Sequence, residues 1–249
     1  MALRQCLSLK RHVKYRTFGL PVATALLQKK RFSCSEGGTE TAAGQTVVSD
    51  RRGSVVTVAI NRPEARNAVN QETARSLLKE LKAFDTDPDL SVAVLHGKGG
   101  NFCAGYDLKE LANHAAPPKL EQDVTKGVPL IDGGTVRLPR LIGLSRALDL
   151  ILTGRPIGAQ EALAYGLANR VVPDGQALQV ALELAEQISS FPQQCLRADR
   201  SSALYSCYDA PSFTQAMQYE VDLGLTVIQA ESVPGAKKFT AGVGRGGKF

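Results

Sequence analysis

Asn101-Phe102-Cys103-Ala104-Gly105-Tyr106-Asp107-Leu108-Lys109-Glu110-Leu111 lies between a strand-like run, Ser91-Val92-Ala93-Val94-Leu95-His96, and a helix-like segment that opens at Leu108. A bend of small residues at the end of a buried strand exposes backbone N–H groups, and a following helix directs the positive end of its dipole to the same point. Such a place binds negative charge. The residue best placed to offer a main-chain donor is Tyr106. An ordinary strand-to-helix turn with Asp107 as its N-cap accounts for the same residues, so the surroundings decide.

Upstream, alternation in Thr46-Val47-Val48-Ser49 and Val55-Val56-Thr57-Val58-Ala59-Ile60 predicts two strands around an Arg51-Arg52-Gly53 turn. Asn61-Arg62-Pro63-Glu64-Ala65-Arg66-Asn67-Ala68 then breaks strand character. Asn70, with Glu72 close behind, caps a helix over about 71–86 whose buried stripe is Leu77, Leu78, Leu81 and Phe84. Gly97, Gly99 and Gly100 form the loop into the turn. The order β-β-α-β-α predicts an α/β fold with a helix-covered sheet. Downstream the pattern is mainly helical, over about 138–153, 158–165, 175–190, 193–207 and 211–230, with one short strand near Asn169-Arg170-Val171-Val172.

The chain has 249 residues, 43% of them hydrophobic, enough for one sizeable core. Its charge of +6 is unevenly spread. Residues 1–35 hold eight Lys or Arg and no Asp or Glu, which leaves 22 basic against 24 acidic residues, a net of −2, for the remainder. The basic balance therefore gives no support to a nucleic-acid partner. A basic, acid-free N-terminus containing Ser, Leu and Ala predicts a mitochondrial transit peptide over 1–35 and a matrix location, followed by a Gly/Thr/Ser-rich linker at 36–45 and a single domain over 46–249, its C-terminal helical part from about 175. Cys6, Cys34, Cys103, Cys195 and Cys207 show no C-x-x-C pattern, and His12, His96 and His114 are scattered, so neither a disulfide framework nor a metal site is expected. No apolar run is long enough to span a bilayer.

Four ordered motifs, Asn61 to Ala68, Phe102 to Leu108, Asp132-Gly133-Gly134-Thr135-Val136-Arg137-Leu138-Pro139-Arg140, and Leu152-Thr153-Gly154-Arg155-Pro156-Ile157 with Glu161 to Val172, together resemble the enoyl-CoA hydratase/isomerase, or crotonase, superfamily over about 45–245. The resemblance implies a spiral of β-β-α units with a helical C-terminal trimerisation region, and a homotrimer or hexamer. It implies acyl-CoA thioesters of fatty acid metabolism as substrates, with coenzyme A part of the substrate and no separate cofactor. Carried over by position, Tyr106 gives the first oxyanion-hole N–H, worth about 3 kcal/mol at a charge-developing carbonyl oxygen. Ala104, Asp107 and Leu108 line the same pocket, and Ala65, Arg66 and Ala68 match the adenine-side loop. Lys109 and Arg66 match positions that meet the CoA phosphates. For Lys109 a solvated helix face explains the charge equally well.

The chain departs from this pattern between Leu111 and Val128. Two further core strands, a Gly-Gly turn giving the second oxyanion N–H, and glutamates for proton transfer are expected there. Only a polar, Pro-containing segment intervenes, so on the order of fifty residues are missing, enough for several secondary-structure elements. Of the remaining carboxylates, Asp132 is the acid/base candidate, matching a proton-transferring carboxylate of some family members; capping of the helix after Gly133-Gly134 is its other reading. The alternatives are thus a hydratase or isomerase, and a catalytically inactive shortened isoform that keeps part of the CoA pocket or the oligomer surface.

Overall fold

The computed structural model describes residues 44–113 and 133–243. The expected leader at 1–35, most of the linker, Asp132 and nearly all of the Leu111–Val128 segment lie outside those residues.

Strands β1 (Val47–Arg52) and β2 (Val55–Ile60) form an antiparallel hairpin in register from Val47 opposite Ile60 to Arg52 opposite Val55. A helix, α1 (Gln71–Thr86), returns the chain to β3 (Val92–Gly97), which pairs with β2 in parallel, Val55 against Val92 and Ile60 against Gly97. The sheet order β1-β2-β3 puts β2 in the middle. All six residues of Val-Val-Thr-Val-Ala-Ile are accordingly buried, the near-continuous apolar reading of a strand covered on both faces. Only Val47 is buried in β1. Asn70 caps α1, its Oδ1 accepting from the Thr73 N–H at 2.9 Å.

The face of α1 turned inward differs slightly from the expected stripe. Thr73 is fully buried and Leu77, Leu81 and Phe84 are half-buried, while Leu78 is 48% exposed. Residues 73, 77, 81 and 84 follow one line along the helix, and Leu78 lies about 100° around from Leu77.

After residue 133 the described chain is helical. The helix expected over 138–153 is two helices, α3 (Gly134–Ile142) and α4 (Leu144–Thr153). Gly143 divides them at φ +85°, donating its N–H to the Pro139 carbonyl while its own carbonyl starts α4. Then follow α5 (Ala159–Ala164), α6 (Ala177–Ser189), α7 (Gln193–Tyr208) and α8 (Phe213–Val227), the last running through a π turn at Ile228–Ser232 into α9 (Val233–Thr240). No strand forms at Asn169–Val172, contrary to expectation. That segment leaves a turn in which the Leu167 and Ala168 N–H groups both bond the Ala162 carbonyl, and Val171-Val172 has no ladder partner among the described residues.

The core is where α6 meets the sheet. Leu182 and Ala185 pack on Val55, Val92 and Val94, with Ala181 and Ile188 at the margin. Helices α7 and α8 pack together, Tyr205 stacking on Tyr219 with centroids 4.2 Å apart. The Glu231 carboxylate in the π turn accepts the Gln194 and Cys195 N–H groups at 3.0 and 2.8 Å, capping α7 from the far end of the C-terminal segment. Arg155 joins α4 to α5 through Asp149 and Glu161, each at 2.7 Å.

Candidate functional site at the Cys103–Lys109 turn

The loop after β2 is shaped by one buried side chain. Pro63–Ala65 makes a single 3-10 turn, and Arg66 and Asn67 both follow in the left-handed region at φ 52° and 59°. Asn tolerates that conformation better than most residues, but two in succession need external support. Asn67, with no solvent exposure, supplies it: its Oδ1 accepts the Arg62 N–H at 2.8 Å, and its Nδ2 donates to the Lys98 and Asn101 carbonyls at 2.8 and 2.6 Å. This amide thus ties the loop after β2 to the loop after β3. Gly97 lets them approach, since a methyl there would strike the Asn101 and Phe102 carbonyl oxygens.

The close approach sets the turn. Val69 and Tyr106 form an isolated parallel bridge in which the Val69 N–H donates to the Gly105 carbonyl at 2.8 Å and the Asp107 N–H to the Val69 carbonyl at 3.0 Å. The Gly105–Tyr106 peptide is trans and planar, so its N–H points opposite to its C=O. The Tyr106 N–H is therefore directed away from Val69, and it has no acceptor among the described residues. An unpaired amide beside a helix start is what an oxyanion site requires.

Asp107 is already engaged. Its carboxylate meets the Arg62 guanidinium at 2.9 Å and accepts the Lys109 N–H at 3.1 Å, at the start of α2 (Leu108–Asn113). The Arg62 hydrogen bond, foremost, holds this carboxyl below the usual aspartate range, against the opposing effect of burial. The N-cap reading of Asp107 is thus the one its side chain fulfils. Glu110 is engaged as well, accepting the Gln71 N–H at 2.8 Å. Neither carboxylate at the turn is free to move protons.

The other expected residues divide by exposure. Ala104, Tyr106, Leu108 and Lys109 are exposed, as is Arg66, and the Val69–Tyr106 bridge brings the 65–69 loop alongside them. Ala65 is half-buried. Ala68 is buried, and its carbonyl accepts from Arg62 at 2.6 Å. Asp132 lies outside the described residues, and Gly133 stands at the N-cap position of α3 at φ +81° with no side-chain cap. Arg62 and Asn67 belong to the Asn61–Ala68 motif, whose local sequence gives neither of them a role. The signal was an Asn beside an Arg in a Pro-containing loop, which does not reveal partners more than thirty residues away. A polar groove lined by Gln45, Thr46, Ser49, Glu72, Ser76 and Lys79 lies between β1 and α1 and includes none of the turn's residues.

Comparison with known proteins adds the family. The model of the enoyl-CoA hydratase/isomerase family matches residues 50–131 and 127–239. Enoyl-CoA hydratase EchA19 of Mycobacterium tuberculosis is 35% identical over 201 residues, covering 59% of this chain and 76% of that protein. A probable enoyl-CoA hydratase of Rhizobium meliloti is 32% identical with the same coverage. A solved probable enoyl-CoA hydratase/isomerase from Mycobacterium abscessus superposes with a TM-score of 0.68 at 31% identity, covering 79% of this chain and 95% of that one. The enoyl-CoA hydratase of Bacillus anthracis gives a TM-score of 0.72 at 26% identity, covering 79% and 96%. The fold is crotonase-like α/β, and the chain belongs to the enoyl-CoA hydratase/isomerase family.

Proposed function

We propose that this chain binds an acyl-CoA thioester with its carbonyl oxygen at the Tyr106 N–H and, as an internally shortened family member, turns it over poorly. The observation that carries this is the unpaired Tyr106 amide, fixed in direction by the bridge to Val69. As the thioester is converted towards an enolate its oxygen gains negative charge, and a preorganised N–H stabilises that charge more than the ground-state carbonyl. Ala104 and Leu108 offer the surface for the acyl side, and exposed Arg66 and Lys109 the cations for the CoA phosphates. Asp132 is the carboxylate for proton transfer.

The shortening is supported by the pattern of matches. The alignment with EchA19 extends over 201 residues but occupies 59% of 249, so about fifty positions face a gap, enough for several elements. The family match also falls in two pieces that meet at 127–131. The described sheet has three strands and ends at β3. Its missing strands, the second donor and the family glutamates would belong to the absent segment. On α8, Phe213, Met217, Val221 and Leu225 recur every four residues and are all exposed, which supports assembly as a homotrimer or hexamer through the C-terminal helices. The acid-free basic leader supports delivery to the mitochondrial matrix.

Loss of one oxyanion donor slows such a reaction by about 10²–10³. The test compares hydration of a short enoyl-CoA by this chain and by a version with about fifty family residues restored after Leu111. The restored protein should turn over, and this chain should not, while both bind the CoA ester. Tyr106→Pro in the restored protein removes the N–H and should lower kcat by about two orders of magnitude; Asp132→Ala should lower kcat without abolishing binding. Equal turnover by the two forms would refute the proposal.

A further inference from the structure

We infer that Arg62 is a positioning residue for the Tyr106 N–H. The inference rests on the thioester reading for its purpose, but its geometry is independent of it. The guanidinium holds both sides of the Val69–Tyr106 bridge: one nitrogen meets Asp107, the residue after Tyr106, at 2.9 Å, and another donates to the carbonyl of Ala68, the residue before Val69, at 2.6 Å. The Arg62 main-chain N–H is itself anchored on Asn67. The side chains of Arg62 and Asp107 are only 16% and 12% exposed, so solvent competes weakly for this contact. Two short hydrogen bonds make the bridge, and among the described residues the Gly105–Tyr106 peptide, between a glycine and an exposed tyrosine, has besides them a long contact from the Cys103 thiol to its carbonyl, at 3.9 Å. Without Arg62, segments 66–69 and 104–107 lose the ionic tether that supports the two bridge hydrogen bonds, and that peptide is freer to rotate. A lysine presents one point charge and cannot reproduce two directed contacts.

Two readouts in Arg62→Met and Arg62→Lys separate aiming from stability. In isotope-labelled protein, residual dipolar couplings report the direction of each N–H. The Tyr106 coupling should change in Arg62→Met while those of β2 and α1 stay as in the parent, with a smaller change in Arg62→Lys. With saturating acyl-CoA carrying a labelled thioester carbonyl, the parent should lower the carbonyl stretching frequency, and Arg62→Met should lose most of that shift while still binding the ester. An unchanged Tyr106 coupling in Arg62→Met overturns the inference. A changed coupling combined with no carbonyl shift in the parent refutes the thioester reading and leaves the positioning role standing. If Arg62→Met does not fold, Asp107→Asn, which keeps an acceptor for the Lys109 N–H but weakens the Arg62 contact, is read by the same coupling.

Discussion

Replacing Asn67 by alanine removes three hydrogen bonds at once, those to the Arg62 N–H and to the Lys98 and Asn101 carbonyls. A hydrogen bond lost from a buried site costs about 1–3 kcal/mol when its partner is left unpaired. Lys98 is exposed and Asn101 half-buried, so their carbonyls can recover water, and about 1 kcal/mol each is the appropriate end of that range. The Arg62 N–H contributes a similar amount, and alanine at φ 59° adds about 1 kcal/mol. The sum, about 4 kcal/mol, is a large share of the 5–15 kcal/mol that typically stabilises a domain. Asn67→Gly relieves the backbone strain but gains unfolded-state entropy, so it should come within about 1 kcal/mol of the alanine variant. Asn67→Asp keeps the acceptor for Arg62 but turns a carboxylate oxygen onto two carbonyls, and should be at least as damaging as alanine. The chain has no tryptophan, so urea unfolding is best followed by far-ultraviolet circular dichroism. A loss below about 1 kcal/mol for Asn67→Ala, at unchanged m-value, would refute this account of the loop.

Gly97→Ala should destabilise by about 3 kcal/mol, because two of the three obstructing atoms are backbone carbonyl oxygens and the third is the hydrogen-bonded Nδ2 of buried Asn67, and an unchanged thermal midpoint would contradict the close approach of the two loops. Glu231 has its carboxyl held below the usual glutamate range, chiefly by the Cys195 N–H, so its stabilising contribution is present above the unfolded-state value and is lost as pH falls through the lower, folded one. Protection of the Gln194 and Cys195 amides against hydrogen exchange should therefore drop as pH falls below the ordinary glutamate range, and Glu231→Gln should flatten that dependence; identical profiles would exclude the cap as its source. Residues 1–40 fused to a reporter should carry it into the mitochondrial matrix, and a reporter left diffuse in the cytosol would end that proposal.

The elements legible in the sequence are those written in local signals. The hairpin, the strand expected over 91–96 and found at Val92–Gly97, and α1 with its Asn70 cap follow from alternation, period and capping chemistry within a few residues. The turn itself was readable from small residues between a strand and a helix, but as an ordinary turn capped by Asp107 as much as a donor site; its reading as a donor site came from the surrounding motifs. What escaped depends on distant partners or on a local signal that reads two ways. The break at Gly143 is marked by a glycine inside an apolar-periodic run, a residue that helices often tolerate. Val171-Val172 looks like a strand by composition, but a strand exists only beside another. The contact between Arg62 and Asp107 spans 45 positions, and no local pattern announces that the aspartate expected in the ligand pocket would turn to an arginine.

The two margins of the sheet are unlike. On β1 the outer margin carries Asp50, Arg51 and Arg52, with Arg51 drawn across to Asp87 at 3.0 Å, so another strand approaching there meets fixed charge. On β3, Val92-Ala93-Val94-Leu95-His96-Gly97 contains no Asp, Glu, Lys or Arg, and no further strand lies beside it among the described residues. Among the described residues the sheet is therefore vectorial, closed to growth on one side and open on the other. Whatever extends it, whether a restored segment of this chain or a strand from another molecule, must be added after β3, in line with the same ladder that places Val92 and Val94 over α6. A lysine at Ala93, which alternates to the face opposite those two valines, would test that polarity by making the open margin resemble the closed one.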